Sequence, residues 1–483
     1  MGGKTISEKR WLIAVRDGKM KGSRKEGRQS MKLNYKRTFL IGLAFLSISA
    51  FWQMYDNIIP LMLQGTFGLG ETVTGAIMAA DNVLALFLLP LFGSLSDRVD
   101  TRLGKRMPFI AGGTLLAVTF LMLLPVADKG ANLPLFVGAL FALLISMGLY
   151  RSPAVALMPD LTPNKLRSKG NAIINLMGAV GGVYTLIMIK LLVGKGEHPG
   201  YLPLFASVGA LMVLSVGVLM LTVNEKRVKA RLEAECRAAG EAFGGEEEKE
   251  DDSEKKAASK QEAASNTMPE TMPKAMPKAM PSEVKRSMGF LLVSIFLWFT
   301  AYNAVTTAFS RYTRVVWKLE GGGFADCLMV ATVAAIVSYI PIGSIAGKVG
   351  RKKTILGGIA LMSICYLAAI FVGAYHPVIN VAFAAIGVGW AAINVNSYPM
   401  IVEMGKGCDI GKFTGTYYTF SMTAQIFTPV LSGFLLENIS YRTLFPYAFV
   451  FSALAFFTMS QVRHGDVRPE KKRSMLENFD VDD

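Results

Sequence analysis

The sequence predicts an all-α polytopic membrane protein: twelve transmembrane helices in two pseudo-symmetric six-helix bundles, with both termini in the cytoplasm. Three observations predict it. Apolar residues make up 52% of the 483-residue chain and charged residues only 18%, against about 25% charged in an ordinary soluble domain. The charges are segregated into blocks, which leaves twelve stretches of the roughly 20 mostly apolar residues that a bilayer-crossing helix needs. The two halves of the chain also echo each other across a polar interruption.

The elements follow in order. Residues 1–37 form a basic segment with twelve Lys and Arg. The apolar run behind it, 38–64, is too long for a signal-peptide core and is read as a retained span. It opens an N-terminal bundle, 38–223, whose other spans are expected at 73–95, 108–127, 133–158, 170–193 and 202–223. Residues 224–287 then change character: they are rich in Glu, Lys, Ala and Ser, include EEEKEDD, and end in TMPETMPKAMPKAMPS. Such a segment buries too little apolar surface to order itself, and a proline at every fourth position breaks helices. It reads as a cytoplasmic tether or a docking site for a regulator, with 224–240 continuing as a polar helix. The C-terminal bundle, 288–463, has spans at 288–310, 324–347, 354–374, 378–402, 412–435 and 443–462, and a cytoplasmic tail, 464–483, closes the chain.

The net charge of +15 does not point to nucleic acid, because of where the basic residues fall. They cluster in the first segment, around Arg98–Arg106, Lys165–Lys169 and Lys348–Lys353, and in the tail, all at the face that carries both termini, whereas the opposite loops are nearly free of Lys and Arg except for three at 311–323. The positive-inside rule places that side in the cytoplasm, where the charges meet anionic lipid head groups. Four cysteines without paired spacing give neither a disulfide framework nor a metal site. Three histidines, all at loops or ends, leave little material for a membrane enzyme. No cofactor is expected, and the partners expected are the lipid bilayer and a small molecule, with the chain a monomer in the plasma membrane.

The internal echo is specific. GSLSDRVDTRLGKR, 93–106, follows the second span, and GSIAGKVGRKK, 343–353, follows the eighth. Two related six-helix bundles with a cavity between them are the architecture of a rocking transporter. The loop G-x-x-x-D-R…G-K-R and its weaker copy resemble the loop signature of the major facilitator superfamily. SDRVDTRLGKRMPFI, YRSPAVALMPDLTP and RSKGNAIINLMGAVGGV resemble the sucrose/maltose proton-symporter group and, more distantly, the glycoside–pentoside–hexuronide:cation symporters. The resemblance implies a proton-coupled sugar symporter working by alternating access, a disaccharide or glucoside being the favoured substrate. A transporter of another organic solute in the same fold, whether drug:proton antiporter or uncoupled facilitator, is the alternative; a non-transporting membrane sensor is a remote one.

Charged residues at the inner helix ends are Asp97, Arg98, Arg102, Arg106, Asp160, Arg167, Arg351 and Glu403. Ion pairing there is expected to close the two bundles on the cytoplasmic side, and the resemblance implies the same gating role. Lys190, Arg311 and Arg314 lie near the outer ends and are expected to snorkel.

Three charges are different because they lie deep in apolar runs. Asp56 sits in FWQMYDNIIPL and Asp81 in AIMAADNVLALFLLP, each followed by an Asn whose amide can serve a carboxylate in either protonation state. An acid in that setting can take a proton from outside and lose it inside, so both are candidates for proton coupling. Arg151, in the fourth span, needs a partner from another helix or a water-filled cavity. Its forked donors suit two adjacent hydroxyls or a carboxylate, and the resemblance implies a place in the transport site. The resemblance also lapses: the acids that relatives carry match Leu140, Ala85 and Leu89 here. That removes the usual sodium site and favours the proton as coupling ion. Aromatic faces beside amides complete the expected sugar site: Trp52, Gln53, Tyr55 and Asn57; Asn175; Trp298, Tyr302 and Asn303; Trp390 and Asn394. Trp52, Tyr55 and Asp56 stand at i, i+3 and i+4, hence on one helical face.

Overall fold

The computed structural model describes residues 33–163, 166–196, 199–239, 281–404 and 410–466. The greater part of the basic first segment, the core of the tether and the end of the tail lie outside the described residues. The described chain is helical and holds twelve helices long and apolar enough to cross a membrane. In the N-terminal half these are α1 (Tyr35–Gly65), α2 (Glu71–Arg98), α3 (Met107–Lys129), α4 (Leu133–Asp160), α5 (Arg167–Leu192) and α6 (Leu202–Thr222). A polar helix, α7 (Glu225–Ala239), follows. The C-terminal half has α8 (Ser282–Val315), α9 (Ala325–Val349), α10 (Arg351–Ile370), α11 (Ile379–Met404), α12 (Ile410–Asn438) and α13 (Leu444–Ser460).

Local chemistry sets several ends. Asn34 caps α1 by accepting the Arg37 backbone N–H at 3.1 Å, and Asn132 caps α4 by accepting that of Leu135 at 3.0 Å, the usual service of a short polar side chain to orphan helix donors. Helices overrun the apolar runs wherever charges can reach the interface: α8 starts six residues before and ends five after the expected span.

The halves share one packing plan. α1 packs on α5 and α6, α3 on α4 and α6, and α2 on α4; α8 on α12 and α13, α10 on α11 and α13, and α9 on α11 repeat those pairs one for one. Between the halves, α2 meets α12, α5 meets α9, and α1 meets α8. Each of these contacts maps onto itself or its mate under the same two-fold. The face that carries both ends of the described chain is called inner below.

The halves also copy each other at the inner turns. Gly104 and Gly350 both adopt left-handed φ values, 119° and 102°, which a side chain disfavours. Beside each glycine an acid beyond the sixth span of its half binds the start of the third. Glu225 accepts the backbone N–H groups of Lys105, Arg106 and Met107 at 2.9, 3.0 and 3.1 Å, and Asp466 accepts that of Lys352 at 3.0 Å. A carboxylate at a helix N-terminus is favoured by both the free N–H groups and the helix dipole.

Candidate functional site

Three helices of the N-terminal half, α1, α2 and α4, carry the buried charges. α1, α8 and α11 show no exposed residue through their middle turns, so their half-buried side chains there face the interior between the halves rather than lipid. Asp56 on α1 and Asp81 on α2 lie within Coulombic range of each other, and Arg151 on α4 lies within range of Asp81. The Arg151 guanidinium stands over the Trp52 ring, 5.7 Å from its centroid. Trp52, Asp81, Ala85, Leu89, Met147 and Arg151 all line one cavity. Two of the three positions where relatives carry acids, Ala85 and Leu89, thus border the same space as Asp81 and Arg151.

The two Asn neighbours behave differently. Asn82 donates to Asp81 Oδ1 through both its backbone N–H, at 2.6 Å, and its amide, at 2.7 Å. Asn57 turns away from Asp56: it is buried and its amide donates to the Gln53 carbonyl at 2.9 Å. Tyr55 departs from the expected face too. At about 100° per residue it falls on one side of Trp52 and Asp56 on the other, and only Asp56 stays half-buried while Tyr55 is fully packed, edge-on to Trp52 at 5.3 Å.

In the C-terminal half, Tyr302 of α8 and Trp390 of α11 stack face to face, 3.7 Å apart and 4° from parallel. Phe299 meets Trp390 edge-on at 5.3 Å. Trp298, grouped with Tyr302 from sequence, is buried in the helix packing at 1% exposure, because one face of α8 points at the interior and the next at its own bundle. Asn303 is half-buried, Asn394 buried, and Asn175 and Gln53 are half-buried on α5 and α1.

Among the described residues, the ion pairs at the inner end stay within one half each. Arg106 pairs with Asp97 at 2.5 Å and Asp160 at 2.9 Å and also donates to Ser96, all within the N-terminal bundle. Arg351 pairs with Glu403 within the C-terminal bundle. Arg167 donates to the Pro159 carbonyl at 3.4 Å, and Arg98 and Arg102 are exposed. Linear spacing puts these charges at helix ends without saying which helix each one faces, and in this structure those that pair do so within one half.

Closure lies at the opposite end. Arg311 of α8 donates to Glu71 of α2 at 2.8 Å, with side chains only 5% and 3% exposed. Lys190 of α5 pairs with Asp326 of α9 at 2.7 Å, and Glu437 of α12 accepts the Thr72 backbone N–H at 2.7 Å. Lys190 and Arg311 therefore bind across the halves instead of snorkelling. Glu71 and Asp326 occupy the first turns of α2 and α9, which the internal two-fold relates, but their partners Arg311 and Lys190 sit on α8 and α5, which it does not; the mate of the α5–α9 contact is the α12–α2 contact of Glu437 with Thr72. Contact there is close enough to need glycine: a Cβ on Gly75 would strike the Pro429 carbonyl, and one on Gly433 would lie 2.5 Å from the Glu71 carbonyl. The inner halves of α2 and α9, by contrast, expose Phe87, Leu91 and Leu95, and Val337 and Ile345. The ion-pair and close backbone contacts between the halves thus gather at the outer end, which is closed.

Comparison with known proteins identifies the fold and the family. Over 206 residues the chain is 24% identical to the general alpha-glucoside permease of Schizosaccharomyces pombe, covering 37% of this chain and 35% of that protein. The match thus spans about a third of that relative's length. Among solved structures, a peptide transporter in complex with alafosfalin superposes with a TM-score of 0.61 at 13% identity, covering 89% of this chain and 95% of that one. A bacterial homologue of the iron transporter ferroportin in an inward-facing state gives 0.61 at 12% identity, covering 89% and 99%. These likenesses show the fold. The family model described as Major Facilitator Superfamily matches residues 41–338 and 319–478, nearly all of both bundles, so the chain belongs to the Major Facilitator Superfamily and is a secondary transporter rather than an enzyme.

Proposed function

We propose that this transporter is a proton-coupled symporter of a sugar, a disaccharide or glucoside, residing in the plasma membrane with both termini cytoplasmic. The observation that carries the reading is the mid-depth cluster in which Asp81 and Arg151 border one cavity with Trp52 and Asp56 lies within Coulombic range of Asp81. Ionisable groups at that depth are costly and mark coupling or substrate sites. The partial similarity to an alpha-glucoside permease supports the substrate class.

With the outer end open, a proton from outside neutralises one carboxylate of the Asp56–Asp81 pair and relaxes the hold of Asp81 on Arg151. The freed guanidinium donates to adjacent sugar hydroxyls, and the ring lies against aromatic faces. The halves then rock about the site, Glu71–Arg311 and Lys190–Asp326 form, and the cavity opens inward. Sugar leaves, the proton passes to inner water, and Arg151 returns to Asp81. Sodium is disfavoured because Ala85 and Leu89 offer no oxygen ligands beside Asp81.

The test is uptake of a labelled sugar panel into proteoliposomes with and without an inward proton gradient. Gradient-driven accumulation of at least one glucoside is expected. Absence of any sugar uptake would refute the reading, and gradient-independent uptake would reduce the protein to a facilitator. Asp56→Asn and Asp81→Asn variants that both kept full accumulation would refute the coupling assignment.

A further inference from the structure

A second cavity lies at the outer end, and both halves build it. Leu61 of α1 and Val193 and Tyr201 of the α5–α6 connection line it from the N-terminal half, and Ser310, Arg314 and Gly321 from the C-terminal half. Ser310 and Arg314 stand at i and i+4, hence on one face of α8. The connecting loops beside it meet backbone to backbone. A Cβ on Gly321, which holds a left-handed φ of 59°, would lie 2.9 Å from the Val193 carbonyl, and one on Gly322 would strike that of Ile189. Parting the halves therefore dismantles the cavity.

Its lining is rich in donors and, among the described residues, holds no acid. Arg314 hydrogen-bonds the Tyr201 hydroxyl, and a guanidinium carries five N–H donors. It also lies against the last turn of α1, where a Cβ on Gly65 would be 3.5 Å from one of its terminal nitrogens. Ser310 is 1% exposed, yet its hydroxyl has no hydrogen-bond partner among the described residues. Gln64, beside Gly65 and one turn beyond Leu61, likewise has a buried amide nitrogen without a partner among the described residues. Asp128 acts on Tyr201 and takes the Thr66 hydroxyl at 2.6 Å, but it does not line the cavity. Buried polar groups left unpaired are costly, and unpaired donors around one space call for a guest that accepts. The space admits a guest of about the size of one water molecule, which suits a monatomic anion and excludes a tetrahedral oxyanion.

We propose that this outer cavity binds a halide, chloride in ordinary media, between Ser310, Arg314 and Tyr201, and that the halide binds only while the outer end is closed. The site goes beyond the symporter reading, because it depends on the contacts between the halves and not on the solute carried. A ligand that binds one of two states shifts the balance toward it by the factor 1 + [L]/Kd. External chloride thereby holds the outward-closed form and opposes its return to the outward-open one. Simple screening has the opposite sign, since added salt weakens the Arg311–Glu71 and Lys190–Asp326 pairs that close the same end.

The experiment uses the full chain in lipid nanodiscs, with spin labels at the exposed Val73 and Ile439, in the sodium salts of chloride, bromide, gluconate and sulfate at equal ionic strength. It reads the open-to-closed ratio from the label distances and, on unlabelled protein, the thermal midpoint. Relative to gluconate, chloride is expected to lower the ratio about two-fold at its Kd and about ten-fold at roughly ten times that concentration. The midpoint should rise over the same range, bromide should act like chloride, and sulfate should act like gluconate. Ser310→Ala and Arg314→Gln, each monodisperse in gel filtration, should lose the chloride response. Each variant's own gluconate value serves as its baseline, so a merely structural loosening of the outer end moves the baseline and not the response. The site is refuted if ratio and midpoint are the same in chloride and gluconate, if sulfate acts as strongly as chloride, or if both variants respond like the wild type. Failure of sugar uptake would leave these readings untouched, so the two proposals fall separately.

Discussion

The outer and inner ends of this molecule use the same residue types for opposite tasks. At the outer end, Arg311–Glu71 and Lys190–Asp326 cross between the halves. At the inner end, Arg106–Asp97–Asp160 and Arg351–Glu403 stay inside one half each, and the acids Glu225 and Asp466 tie each inner turn to its own bundle. A rocking transporter needs both kinds of contact. Pairs within a half keep it rigid as it turns, and pairs between halves hold one state and must separate in the other. The difference teaches that an ion pair at a helix end gates a pathway only where its partner lies on the other body.

Four substitutions probe that difference. The largest effect is expected from Arg311→Gln, which strands Glu71 as a buried charge; breaking a buried pair from one side costs about 3–5 kcal/mol. The outward-open state should then dominate, read as a longer distance between spin labels at the exposed Val73 and Ile439. Adding Glu71→Gln, which leaves no charge stranded, should restore much of the closed population. An unchanged distance in Arg311→Gln would break the comparison.

Gly75→Val comes next. Its side chain would strike the Pro429 carbonyl, an overpacking worth about 1–3 kcal/mol against the closed outer end, and the same label pair should lengthen without any change of charge. Glu225→Ala is the inner counterpart. Loss of a charged acceptor for three backbone N–H groups should lower stability by about 1–2 kcal/mol, read as a lower thermal midpoint, while the outer label distance stays put. A state shift in that variant would show that the inner turns gate after all. The smallest effect is expected from Lys190→Met. Its pair is half exposed, and exposed pairs contribute up to about 1 kcal/mol, so distance and stability should both barely move.

Much of the fold was legible because a bilayer imposes it. Segregated charges marked twelve spans, and the repeated Gly-Ser…Gly-basic loops marked the two halves. Within the site, Asp56, Asp81 and Arg151 stood out because a charge inside an apolar run has no ordinary reason to be there. Less was legible where the outcome hung on a few tens of degrees about a helix axis. Tyr55 and Trp298 share sequence neighbourhoods with Asp56 and Tyr302 yet point into packing, and Asn57 serves a carbonyl of its own helix rather than Asp56.

The sequence by itself determined the number of spans, their division into two related halves, the basic face, and the depth of the three buried charges. Those properties follow from local composition, since each turn of helix meets lipid, head group or water on its own. Only the tertiary structure decided which charges meet. Arg311 was one of several cations near an outer helix end until Glu71, 240 positions away, was brought against it. Pairing energy depends on distance and burial, which two residues acquire only when the bundles that carry them come together.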